Sequence, residues 1–126
     1  MNFPDHLKYT KDHLWAKHED GAITVGITFF AQLELGEIAY VEVKTEGKHL
    51  QKGQVFGTVE AVKTVSDVPL PVSGIIKEFN PLLKNDPGLI NKDPYESGWI
   101  IRVVPDKPDS IEGLLSADAY EKLVNG

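Results

Sequence analysis

Lys63 is the residue whose setting most invites chemistry. It lies between two runs that read as strands, Val55–Val62 and Val65–Leu70, with Gly53 ten residues before it and Gly74 eleven after. A lysine midway between two paired strands sits at the tip of a hairpin, where an enzyme can close around its amine. Covalent attachment needs that exposure, and a travelling group needs a rigid base, which paired strands supply better than a loose loop. By spacing alone, a lysine on a hairpin turn is a solvated turn residue, so the pattern by itself stops at an exposed amine. Ser66 and Asp67 lie close by, but no histidine base accompanies them and they read as turn residues. His6, His13, His18 and His49 are too scattered to hold a metal. His13 and His18, five apart in a presumed strand, face opposite ways, and all four read as surface or core histidines.

The rest of the composition narrows the function classes. There are no cysteines among the 126 residues, which removes disulfides, thiolate metal sites and a cysteine nucleophile, so any redox chemistry must come from something attached. The net charge is −6, and Arg102 is the single arginine against twelve lysines. That balance argues against binding nucleic acid, where Arg reads bases and forks phosphates, and against an anionic membrane surface. No segment approaches the roughly 18 uninterrupted apolar residues of a membrane helix. The opening Met1-Asn2-Phe3-Pro4-Asp5 lacks the basic and apolar regions of a secretion signal, so the chain reads as soluble and cytoplasmic.

The elements that must position Lys63 are short and punctuated by Gly and Pro. His13–His18, the turn Glu19-Asp20-Gly21 and Ala22–Ile27 read as a hairpin. Ile38–Lys44 is rich in β-branched and aromatic residues and reads as a strand, as do Val72–Phe79 and Trp99–Val104, the last ended by Pro105. Thr28 caps a short helix through Leu35 that Gly36 closes. Ser116 opens a C-terminal helix, 117–124, with an acidic first and a basic last turn. Pro81–Asp93 reads mostly as turn, and the mildly acidic stretch from Asp106 as a solvated helix face. The class is all-β with short peripheral helices, in one domain spanning 1–126.

The segment Glu60-Ala61-Val62-Lys63-Thr64-Val65-Ser66-Asp67, followed by Pro71-Val72-Ser73-Gly74, resembles the lipoylation motif of the glycine cleavage system H-protein family. Further blocks follow the family in order: Leu7 to Trp15, Val25-Gly26-Ile27-Thr28 with Ala31-Gln32 and Leu35-Gly36-Glu37, Asn91-Lys92-Asp93-Pro94-Tyr95, Gly98-Trp99, and Leu114 to Tyr120. Val62 and Thr64 flank the lysine where biotin carriers, similar in architecture, usually place methionines, and the only methionine here is Met1.

The resemblance implies a barrel-sandwich hybrid of the lipoyl/biotinyl type with a C-terminal helix, and lipoic acid in amide linkage to Lys63. It implies a non-catalytic carrier, expected as a monomer, that takes an aminomethyl group from the pyridoxal-phosphate glycine decarboxylase. The tetrahydrofolate-dependent aminomethyltransferase receives that group, and the FAD-containing dihydrolipoyl dehydrogenase then receives electrons. Lipoylating enzymes are further partners, with Glu60, Val62, Thr64 and Gly74 as their recognition residues or the neighbourhood of the arm. Gly74 is read as serving backbone geometry at a turn. An H-like lipoyl carrier for lipoyl relay or sulfur metabolism is the alternative.

Three departures stand out. Ala61 replaces a frequent serine, and Val68-Pro69-Leu70-Pro71 differs from an aromatic-containing run. Leu14 stands where the family generally has a glutamate near a cleft that shelters the loaded arm, and a leucine there cannot favour an ammonium. Either the arm is less well sheltered in this chain or another acid, such as Glu19 or Glu34, substitutes.

Overall fold

The computed structural model describes residues 3–125. Met1 and Asn2, read above for their lack of a secretion signal, and Gly126 lie outside them. In chain order the strands and helices are β1 (Lys8–Tyr9), β2 (Leu14–Glu19), β3 (Ala22–Ile27), α1 (Phe29–Leu35), β4 (Ile38–Glu42), β5 (His49–Leu50), β6 (Val55–Ala61), β7 (Val65–Pro69), β8 (Gly74–Phe79), α2 (Leu89–Lys92), β9 (Ile101–Pro105) and α3 (Ala117–Asn125). The strands form a six-stranded sheet, β1-β2-β3-β9-β8-β5, and a three-stranded sheet, β4-β6-β7, with antiparallel neighbours throughout. This is the all-β barrel-sandwich hybrid with peripheral helices that the resemblance implies.

Alternation of side chains, shifted by one residue at the irregularity between Val55 and Gly57, gives β6 an inward apolar face. Phe56, Val59 and Ala61 of β6 point inward, and Val41 and Val68 join them from β4 and β7. From the larger sheet Ala16, Ile23, Val25, Ile76, Ile101 and Val103 meet them in one continuous core. Burying an aliphatic side chain of this size stabilises by roughly 1.5–3 kcal/mol, so the joint between the sheets is the main source of rigidity under β6 and β7. β3 is buried at all six positions, beyond what a one-sided strand shows. Its second face is covered because the Trp15 indole lies over Gly26, and Trp15 Nε1 donates to the Pro94 carbonyl at 2.8 Å.

A second apolar cluster seats the C-terminal helix. Tyr120 of α3 stacks on Tyr9 of β1 at 4.8 Å, and Phe3, Leu7, Trp15 and Ala117 close around them. Ser116 Oγ accepts from the Ala119 amide at 3.2 Å, which is the cap read from the sequence. The stretch read as mostly turn contains two short helical pieces, a 3-10 turn at Pro81–Lys84 and α2. Asn80 caps the first by accepting from the Leu82 amide at 3.0 Å. β1 and β5 have two residues each, too few for any periodicity to announce them.

Candidate functional site

The β6–β7 ladder ends on the pair Glu60–Val65, and the Ala61 amide then donates to the Thr64 carbonyl at 2.7 Å. That bond leaves Val62 and Lys63 as the two residues of the turn. Neither needs a left-handed backbone, in contrast to Asp20 and Gly21 in the β2–β3 turn, at φ 53° and 77°. The Val62 amide donates to the Glu37 carbonyl at 3.0 Å, so the turn is held from the start of β4 as well as by its own strands. Val62 is 67% exposed, Lys63 and Thr64 are exposed, and Lys63 makes no ion pair among the described residues.

Beside this tip runs an apolar groove of about 400 Å³ between α1 and β7. Leu14, Ile27, Ala31, Leu35, Val59 and Val68 form its apolar lining. Three carboxylate residues, Asp12, Glu34 and Asp67, also line it, and no lysine or arginine does. Ser66, one of its lining residues, is three residues beyond Lys63 in the chain, at most roughly 10 Å at the rise of a strand. An aliphatic chain ending in a cation suits such a groove, since the walls accept the methylenes and the carboxylates the charge.

His13 also lines the groove, in the left-handed region at φ 67° and one residue before β2. The strand alternation expected to set it opposite His18 therefore does not apply to it. Its Nδ1 lies 2.8 Å from the Tyr120 hydroxyl, which lies 2.8 Å from Thr28 Oγ1. Thr28 Oγ1 accepts from the Ala31 amide at 3.1 Å, so its own proton has only the Tyr120 oxygen to go to among the described residues. Tyr120 is then free to donate to His13, an arrangement that for the neutral ring selects the tautomer with its proton on Nε2. Burial pushes the Tyr120 hydroxyl up to about 12, against the opposing bond from Thr28, so it remains a donor at neutral pH.

A sequence model of the family described as Glycine cleavage H-protein matches residues 7–126. The chain belongs to that family. Among similar proteins, the glycine cleavage system H protein of Bacteroides fragilis is 48% identical over 125 residues, covering 99% of each chain. That of Salinibacter ruber is 50% identical over 123 residues, covering 98% of this chain and 99% of the other. A crystal structure of a glycine cleavage system H protein from Mycobacterium marinum superposes with a TM-score of 0.89 at 35% identity, covering 98% of this chain and 100% of that one.

Within the family frame, the structure sorts the residues singled out from the sequence. Val62 and Thr64 flank Lys63 on the turn, and Glu60 is exposed in a cross-strand row with Tyr40 and Val65. Gly74 is not at a turn but opens β8, where it is buried and lacks a positive φ. A Cβ there would run into the Val104 carbonyl and come within 2.8 Å of Val103 Cγ1, so close approach of β9 explains the glycine. Of the two acids considered as substitutes near Leu14, Glu34 lines the same groove as that leucine. Glu19 lies elsewhere, beside Trp99 and Arg102. Its carboxylate is held by Lys17 at 3.3 Å and Thr24 at 3.2 Å, and these contacts with Arg102 draw its pKa down against the cost of burial. Leu14 itself is 1% exposed and part of the core. Among the described residues no group of three or more metal-ligating side chains converges.

The Glu37 carbonyl and the His13–Tyr120–Thr28 chain were not singled out from the sequence. A backbone contact leaves no residue signature, and hydrogen bonds between residues 107 and 92 positions apart have none either. The available hint was that His13, Thr28 and Tyr120 all fall in blocks shared with the family.

Proposed function

We propose that this chain carries lipoic acid in amide linkage on Lys63 and shuttles an aminomethyl group from the glycine decarboxylase to the aminomethyltransferase, then electrons to the dihydrolipoyl dehydrogenase. The observation that carries the reading is the exposed amine of Lys63 on a tethered two-residue turn, within a chain belonging to the glycine cleavage H-protein family. The residues present fit such a group: the amine is open to a lipoylating enzyme, and an apolar groove begins within the span of a lysine bearing a medium-length acyl chain. When bound, a lipoyl amide supplies a disulfide that accepts a carbon group with two electrons and is later reoxidised from the dithiol. The rest of the task falls to the chain, which acts as a carrier without catalytic groups of its own.

The β6–β7 hairpin presents Lys63 outward to each partner in turn, and Glu60 and Thr64 offer the lipoylating enzyme polar contacts on either side. Along the groove, Leu35, Val59 and Val68 exclude water, while Glu34 and Asp67 hold a positive end group. Glu34 thus stands in for the carboxylate that position 14 lacks. The absence of cysteine leaves no protein thiol to exchange with a disulfide on the arm. Nothing in the described residues is a helix long and apolar enough to cross a membrane, and we place the carrier in the cytoplasm.

The test is intact-mass and peptide spectrometry on protein produced with lipoate available, followed by reconstitution with the decarboxylase and glycine. A lipoyl mass on Lys63 and glycine-dependent loading are expected. No lipoyl mass would overturn the proposal, and lipoylation without loading would move it to another lipoyl pathway.

A further inference from the structure

We infer that Asn91 is a positioning residue for Lys63, acting through the backbone that holds the modified turn; this rests on the reading of Lys63 as the attachment site. The Asn91 side chain lies on α2, 28 residues beyond Lys63, yet it meets three groups around the α1–β4 junction. Its Oδ1 accepts from the Ile38 amide at 3.0 Å. Its Nδ2 donates to Gln32 Oε1 and to the Gly36 carbonyl, each at 2.9 Å. One amide group therefore fixes the residues on both sides of Glu37, and Glu37 is the residue whose carbonyl receives the Val62 amide at 3.0 Å.

The junction has reason to need an external clamp. Gly36 ends α1 with φ 82° and ψ −155°, a conformation open to glycine but not fixed by its own side chain. β4 then begins irregularly, with its register slipping between Ile38 and Tyr40. Ile38 itself pairs with Ala61, so the slip cuts this end of the ladder, with the Glu37 carbonyl just beyond it, off from the regular pairing that resumes at Tyr40. Only a side chain with both an acceptor and two donors can serve Ile38, Gln32 and Gly36 at once, and an asparagine of this reach does so. Gln32 is itself buried, which anchors the far end of the clamp in the protein interior.

Hydrogen exchange by NMR on the full-length unmodified chain tests the inference without depending on lipoylation. In Asn91→Ala the Val62 amide is expected to exchange at least about ten-fold faster, equivalent to about 1.4 kcal/mol. The Ile100 amide, bonded to the Val25 carbonyl at 2.8 Å in the core, reports global stability and is expected to change less than the Val62 amide. Asn91→Asp, the second variant should the first fold poorly, keeps the acceptor for Ile38 but sets an oxygen against the Gly36 carbonyl, and should again lower protection at Val62 more than at Ile100. With a lipoate-attaching enzyme, both variants should raise KM for the protein substrate more than they lower kcat. Unchanged protection at Val62, or loss of protection at Val62 and Ile100 by the same factor, would overturn the positioning role. If wild type takes no lipoyl group at all, the attachment reading fails while the exchange result still decides what Asn91 does.

Discussion

The hydroxyl of Tyr120 lies 2.8 Å from Nδ1 of His13, joining the C-terminal helix to the turn that opens β2. With Thr28 donating to Tyr120, the chain of hydrogen bonds favours one tautomer of the neutral His13 ring. Imidazole 15N NMR at neutral pH should show an unprotonated Nδ1 and a protonated Nε2. Tyr120→Phe should release that preference and, by leaving the buried Thr28 hydroxyl without an acceptor, cost about 1–3 kcal/mol in urea unfolding. A protonated Nδ1 in the wild type would contradict the hydrogen-bond chain.

The same tyrosine sets an alkaline limit. Its pKa rises from the ordinary 10.0 to about 12 in the folded chain, and burial raises Tyr9 in the same direction. Folding thus favours the neutral phenols, so their contribution is complete below pH ~10 and is lost as the pH climbs through about 12. Urea midpoints should fall between about pH 9 and about pH 11.5, and Tyr120→Phe should flatten that fall. A midpoint that holds steady over the range would count against the buried-phenol account.

Lys63→Arg keeps the positive charge but offers no amine for an amide bond. Mass spectrometry should find no lipoyl addition in this variant, while its stability stays within about 0.5 kcal/mol of wild type, as for other surface substitutions. Loss of folding in this variant would mean the side chain has a structural role that its exposure does not suggest.

Glu34 and Glu19 are both acids, but only Glu34 lines the groove with Leu14. Glu34→Gln should shorten the lifetime of the aminomethyl-loaded form by about five-fold, the effect of removing an interaction of ~1 kcal/mol in a water-exposed setting. Glu19→Gln should leave that lifetime unchanged and alter stability by no more than about 1 kcal/mol, as expected for an exposed ion pair. The rate of formaldehyde release from the loaded protein separates the two.

Gly74→Ala places a methyl against the β9 backbone, and the overpacking should cost about 1–3 kcal/mol in urea unfolding. A neutral result would mean that β8 and β9 part more easily than their pairing suggests.

Much of this architecture was legible in the residues because it rests on local signals. Thr28 and Gly36 mark the ends of α1 by capping chemistry, Asp20-Gly21 marks a hairpin by backbone preference, and the β-branched and aromatic residues of Ile38–Lys44 mark β4 as a strand. What escaped depends on contacts between distant segments. Gly74 was read as a turn glycine because its partner across the sheet, Pro105, and the Val104 carbonyl that crowds it are about thirty residues away. His13 was read as a strand residue because nothing local shows that the left-handed conformation precedes β2. Lys63 itself was legible as an exposed hairpin lysine, and its flanking blocks carried the rest. The Glu37 carbonyl that holds its turn involves no side chain and left no trace in the sequence.

That carbonyl has a consequence for how fast and how tightly partners can engage the chain. Immobilising a flexible residue costs roughly 1–2 kcal/mol of conformational entropy, so a loose loop of about four residues would cost several kcal/mol at every docking event. A carrier must be grasped and let go by several enzymes in succession, and a penalty paid at each encounter would weaken all of them alike. Because Ala61, Thr64 and Glu37 order the backbone of the turn beforehand, the freedom left to be lost on engagement is that of its exposed side chains, the long one on Lys63 foremost.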